Sequence, residues 1–212
     1  MIRPALLLTI AAATLAAQSP LEGAISMSLT GDDGKTSELA YMVKGGKIRF
    51  DVAGRGGEKM AIIVDPAEKK SLMVMFSQKM YMEQEFGAGA EAAAEKARPA
   101  KVERTGKTET IAGYKCEHVT VTESDGSTSD VCEATGLGTF RMPQSGGRGG
   151  PPKEPGWQAA LDKGGFPLKV QKGDKVTLEV TKIEKKTLDA ALFAPPEGFQ
   201  KFDMGGMLRK RP

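Results

Sequence analysis

The chain has 212 residues, with 30 Lys and Arg against 27 Asp and Glu and a net charge of +3. That interleaved near-balance gives no electrostatic footprint for nucleic acid, and the length suffices to bury a core in one domain. A single histidine and two cysteines starve a histidine- and cysteine-based zinc centre of ligands, and leave a serine hydrolase no base but His118.

In chain order, "MIRPALLLTIAAATLAAQSP" has one positive charge at Arg3, an apolar run from Ala5 to Ala13, and small residues at Ala16 and Ala17. This is the layout of a signal peptide over residues 1–17, cut near Ala16 or Ala17. The alternative is a buried N-terminal helix. The run falls short of the roughly 20 residues a bilayer span needs, and the adjoining Gln18 and Ser19 offer no cysteine for a lipid anchor. Removal of residues 1–17 leaves 195 residues and takes only Arg3 from the charge, so the net falls to +2. A soluble periplasmic or secreted protein is expected, with residues 18–212 forming one exported β-rich domain.

Alternation dominates the chain from Ala24 onward. "AISMSLT" puts Ile25, Met27 and Leu29 on one face, and "ELAYMVKGGKIRFDVAG" alternates on both sides of Gly45-Gly46, a β-hairpin signal because both central positions allow positive φ. "KMAIIVD" and "SLMVMF" form a second hairpin around "PAEKK", and "KMYMEQEF" continues as a third strand. "GAGAEAAAEKARPA" reads equally as short helix or loop. "KVERTGKTETIAGYKCEHVTVTES" gives two strands around Ala112-Gly113, and "DGSTSDVCEA" turns at Asp125-Gly126. "EATGLGTFRM" is ambiguous, and the Gly/Pro-rich stretch 143–156 reads as a flexible exposed loop. "GWQAALDKGG" is a short helix ending in glycine, "FPLKVQKGDKVTLEVTKIEKK" a hairpin, and "LDAALFAPPEGFQKF" a single turn before an extended segment. The basic "LRKRP" reads as a frayed tail. The tally is mainly β (α+β): one curved antiparallel sheet or half-barrel of about ten strands, with two or three short helices.

Cys116 and Cys132 are 16 residues apart. In an exported chain they read as a structural disulfide; the functional alternative, a redox or metal pair, lacks the C-x-x-C spacing. That disulfide would deny a Cys–His nucleophile its thiolate, so His118, which shares a strand face with Cys116, reads as an ordinary strand histidine. "RTGKT" at 104–108 matches the end of a phosphate loop, but Lys101 stands where the first glycine belongs and the context is strand. Asp32-Asp33 sits in a turn before Gly34, and Glu83 and Glu85 at a solvated strand end. No catalytic constellation and no cofactor are expected, and the chain does not read as an enzyme.

The order of "YMVKGGKIRFDV", "IIVD", "KMYM", "TGKTETIAGYKCEHVTV", "VCEATGLGTF", "GGFPLKV" and "LEVTKIEKKTLDAALFAPPEGFQKF" resembles the bacterial domain of unknown function 4412 family across most of the chain. The sheet followed by an "LFxxPxGF" finish is also similar to outer-membrane lipoprotein carriers of the LolA/LolB type. That second resemblance implies a curved sheet with helices plugging its concave side and acyl chains held in an apolar cavity. The first implies no activity and no functional residues.

The stretch "SLMVMFSQKMYM" holds Met73, Met75, Met80 and Met82. On strands, Met73 and Met75 point opposite to Leu72, Val74 and Phe76, and Met80 and Met82 opposite to Tyr81. Three readings stand: adaptable core packing, lining of an apolar cavity together with Tyr41 and Phe50, and a thioether copper(I) site. Apolar residues on both faces of 72–76 predict a central strand buried on both sides. The functional expectation is a non-enzymatic carrier or binding protein for a lipid or a lipid-modified protein. The alternatives are an envelope structural or interaction protein without a small ligand, and methionine-based copper binding.

Overall fold

The computed structural model describes residues 21–31, 33–53, 57–85, 101–142, 155–161 and 164–202. The expected signal peptide, the Ala/Glu-rich segment 87–100, loop positions 143–154 and the basic tail lie outside them. The described strands are β1 (Gly23–Thr30), β2 (Thr36–Lys44), β3 (Lys47–Ala53), β4 (Lys59–Asp65), β5 (Lys70–Met75) and β6 (Met80–Glu85). They continue with β7 (Lys101–Ile111), β8 (Tyr114–Thr122), β9 (Thr128–Ala134), β10 (Phe166–Lys172), β11 (Lys175–Lys185) and β12 (Gln200–Lys201). One short helix, α1 (Gly156–Ala160), and a 3₁₀ turn, Ala190–Phe193, complete the described elements.

All twelve strands form one curved, unclosed sheet in the order β12-β6-β5-β4-β3-β2-β1-β11-β10-β9-β8-β7. Two antiparallel meanders, β1 to β6 and β7 to β11, are joined where β1 pairs with β11; only the short β12 runs parallel to its neighbour, β6. The hairpin turns follow from turn chemistry. Gly45 and Gly46 take φ of 57° and 81°, the positive values a two-residue hairpin demands. The "RTGKT" stretch is a bulge in the edge strand β7, where the register shifts between Arg104 and Thr108 and Gly106 takes φ of 72°. It does not open a helix, as a phosphate loop would. Bulges and lysines on an outermost strand discourage edge-to-edge association.

The larger core lies on the sheet face that carries Ile25, Met27, Tyr41, Phe50, Phe166 and Leu178. The 135–142 segment, ambiguous by sequence pattern, supplies Leu137 and Phe140 to it, and α1 adds Trp157. Aromatic rings knit this cover to the sheet, with Tyr41 5.7 Å from Phe140, 5.4 Å from Phe166 and 4.9 Å from Phe50. Aromatic pairs at such separations add to what their buried area contributes.

A smaller core occupies the opposite face of β3 to β6. After β11 the chain crosses to that side and lays Leu188 and Phe193 on Ala61, Ile63 and Val74. Glu22, just before β1, marks the crossing: its carboxylate accepts from Lys44 Nζ at 2.6 Å and from the Leu188 N–H at 2.8 Å. Arg49 pins the segment further on, donating to the Leu192 carbonyl at 2.8 Å while pairing with Asp51 at 2.8 Å and lying over the Phe76 ring. Phe199 meets Phe76 edge-on, and Phe202 donates to the Tyr81 carbonyl at 2.7 Å, which seats β12 on the β6 edge.

Two measurements check this architecture. A Cβ at Gly23 would lie 2.1 Å from the Glu184 carbonyl oxygen, across the β1–β11 ladder. Gly23→Ala should therefore cost roughly 2–4 kcal/mol in denaturant unfolding. The Lys44 ammonium and then the Leu188 N–H hold the Glu22 carboxyl below its ordinary value of 4.5. A carboxyl lowered on folding stabilises fully above its unfolded value, and that stability is lost as pH falls through the folded one. The thermal midpoint should thus decline between roughly pH 5 and pH 3, and Glu22→Gln should make that decline shallower.

Candidate functional site

Strands β4, β5 and β6 expose a surface built from their register. Asp65 starts the β4–β5 turn by accepting from the N–H groups of Ala67 and Glu68, both at 3.1 Å, and Lys69 completes it at φ of 52°. The β5–β6 turn repeats the pattern, with Lys79 donating to the Phe76 carbonyl and taking φ of 48°. These turns place Met60 opposite Met75 and Ile62 opposite Met73. On the other side of β5, Met73 faces Met82 and Met75 faces Met80. The result is two cross-strand rows, Met60–Met75–Met80 and Ile62–Met73–Met82, with Val64–Ser71–Gln84 as the next row.

All five methionines point to the same side of the sheet as Phe50, because Phe50 pairs with Ile62 and Val52 with Met60. Each is half-buried, and among the described residues none belongs to either buried cluster. The opposite side of the same strands is closed by the C-terminal segment over Val74 and Ile63. The strand therefore has the two apolar sides expected of it, but only the Val74 side is packed into a core; the methionine side is half-buried.

The sequence places Met73, Met75, Met80 and Met82 in one group with Tyr41 and Phe50, and the structure divides them. The four methionines adjoin one another in the two rows, whereas Tyr41 and Phe50 are fully buried on β2 and β3. Burial pushes the Tyr41 hydroxyl well above its ordinary range, leaving it a neutral donor to the Thr139 carbonyl at 3.3 Å. Met60 escapes a reading of the sequence because it lies 13 residues before Met73, outside the conspicuous run. Extending the hairpin ladder back from the "PAEKK" turn would have set it opposite Met75.

The second cluster of polar chemistry lies in the other meander. Cys116 and Cys132 are bonded, and both are buried. Cys132 pairs with His118, so the bridge crosses β8 and β9 diagonally beside the imidazole. His118 Nδ1 is 2.6 Å from Asp130 and Nε2 is 3.3 Å from Glu109, which also lies 3.9 Å from Lys169. The Glu109 carboxylate, His118 and the Cys132 sulfur come within 4.8 Å of one another. That sulfur is consumed by the disulfide, and the two ring nitrogens are directed at separate carboxylates, so the group is a polar clasp across β7, β8 and β9.

Fold and site together define a class: an open, strand-built protein of one large antiparallel sheet, with one side of a meander closed by its own chain and the other lined with methionine. The chain belongs to the family described as domain of unknown function (DUF4412), whose profile matches residues 21–199. No curated protein matches it. Among solved structures it is similar to PNGF-II in two crystal forms, at 15% and 14% identity with TM-scores of 0.46 and 0.44. An uncharacterized conserved protein from Thermus thermophilus is similar at 11% identity with a TM-score of 0.45. Each match covers 88% of this chain; it spans 91% of the Thermus protein but only 32% of PNGF-II. At that identity and superposition, nothing of PNGF-II's role passes to this chain.

Because the disulfide and the methionine rows lie in different meanders, they should separate experimentally. Replacing Cys116 and Cys132 by Ala should cost about 3 kcal/mol in denaturant unfolding, the value for closing a loop of this length. Below the unfolding transition it should leave the methionine face unchanged, read as unshifted methyl NMR signals of Met60, Met73, Met75, Met80 and Met82.

Proposed function

We propose that the protein is a non-enzymatic binding or carrier protein that holds a lipid-like apolar chain against the methionine face of β4 to β6. The observation behind this reading is the placement of Met60, Met73, Met75, Met80 and Met82 on one half-buried surface outside both cores. Methionine is unbranched, polarizable and able to re-pack, so it suits guests of varied shape. Covering apolar surface contributes about 25 cal/mol per Å² before the costs of ordering are met. Export fits the same reading. The N-terminal stretch has the layout of a signal peptide, and the chain carries a disulfide, a bond that persists in oxidising compartments. Among the described residues, no helix is long and apolar enough to cross a membrane. The ligand class proposed is an acyl chain, free or on a lipid-modified protein.

Palmitate and a fluorescent fatty-acid analogue test the idea. Saturable binding of the analogue, its displacement by palmitate, and a ligand-dependent rise in thermal midpoint are expected. Met73→Glu with Met82→Glu should weaken binding at least tenfold, because a charge pair would have to be desolvated against the acyl chain. Absence of saturable binding by the wild-type protein would overturn the reading in favour of an envelope protein that works through macromolecular contacts. Unaltered affinity in the double variant would move the ligand elsewhere.

A further inference from the structure

Methionine is confined to one side of β4 to β6. Met60, Met73, Met75, Met80 and Met82 alternate onto the same face, while the other face of these strands uses Ala61, Ile63, Leu72, Val74 and Tyr81. Directly opposed residues in an antiparallel ladder have Cβ atoms roughly 4.5–5.5 Å apart. Met75 therefore has a thioether neighbour on each side, Met60 and Met80, and Met73 and Met82 form a second pair two residues along. Three rotatable bonds per side chain let the three sulfurs of the first row turn toward a common point.

The charge on these strands is segregated as well. Asp65 and Glu83 alternate to the other face, where they pair with Lys47, Lys70 and Lys201. The polar groups next to the methionines in the strand register are the neutral Ser71, Gln84 and Gln200, with Gln200 opposite Met80 and the Gln84 amide 4.0 Å from the Met82 sulfur. A donor set of neutral, soft sulfur selects copper(I) over zinc or magnesium, which call for thiolate, imidazole or oxygen ligands. We propose that this face binds copper(I) through the thioethers of Met60, Met75 and Met80, with Met73 and Met82 offering further ligands beside them. The ion is taken up and released as copper(I), so no electron changes hands. The proposal is independent of the apolar-chain reading, since any aliphatic side chain can hold an acyl chain whereas the metal needs sulfur.

That difference supplies the test. The purified protein is titrated anaerobically with copper(I) against a chromophoric chelator, and with silver(I) as a redox-inert substitute, alongside the triple variant Met60→Leu, Met75→Leu, Met80→Leu. Leu conserves volume and apolarity, so the fold should survive. The expected result is one tightly held ion per wild-type chain and an affinity loss of at least 100-fold in the triple variant. Met27→Leu, a change in the buried core, should leave copper affinity as it was. X-ray absorption of the copper-loaded wild type gives a readout that needs no variant and should show sulfur neighbours alone. Failure of the wild type to compete with the chelator, wild-type affinity in the triple variant, or nitrogen and oxygen neighbours at the metal would each overturn the proposal. None of these outcomes touches palmitate binding, which stands or falls in its own assay.

Discussion

The structure depends on the seam between β1 and β11. Local turns make every hairpin of β1 to β6 and all of β7 to β11 except the long β9–β10 connection; only the β1–β11 pairing merges the two meanders into one sheet sharing the larger core. The seam has no tolerance at its start, since Gly23 approaches the Glu184 carbonyl more closely than any side chain permits. Further along, a register shift between Ser26 and Met27 keeps Met27 opposite Val180 and Leu29 opposite Leu178, so apolar residues from both meanders stay on one face. Without the seam, Ile25 and Met27 lose their cross-strand partners on β11, and the aromatic cover around Phe140 loses part of its floor.

The seam also decides which surface is left open. β11 delivers the chain to Glu22, where one carboxylate turns it across the sheet by binding both Lys44 and the Leu188 N–H. The crossing commits the last apolar segment to the Val74 side, where Arg49 and Phe76 hold it. Helix α1 and the 135–142 segment cover the other side around β1, β2, β8 and β10. The methionine rows on β4 to β6 lie beyond that cover and on the far side from the strap. Their half-burial is thus a consequence of topology, and not of a local failure to pack.

Local chemistry makes much of this legible before any coordinates. Gly45-Gly46, Ala112-Gly113 and Asp125-Gly126 announce hairpins by their need for positive φ or side-chain turn capping, and strict alternation assigns faces within each hairpin. The Cys116–Cys132 bond follows from compartment and count. The illegible features are those set by non-local pairing. Nothing near β1 or β11 in sequence says that they adjoin, and the "LFAPPEGF" segment does not reveal which face it will cross. The apparent kinship of Tyr41 and Phe50 with the methionines has the same origin: they share a face, but alternation is blind to how far along that face the cover extends. Met60 is hidden by distance in sequence although the ladder makes it a direct neighbour of Met75.

The methionine face differs in kind from both described cores. A core that needs only rigidity and density is better served by branched or aromatic side chains with few rotamers, and both described cores of this protein are built largely from these. Flexible thioethers sacrifice that definition, and here five of them are gathered outside both cores formed by the described residues. The strands beneath are paired on both sides and backed by the C-terminal segment that carries Leu188 and Phe193, so an ordered backbone carries adaptable side chains. A rigid platform carrying pliable, sulfur-bearing side chains is suited to meeting something that is not part of the chain. The two proposals, an acyl chain and a soft cation, are told apart by one atom per residue, the sulfur.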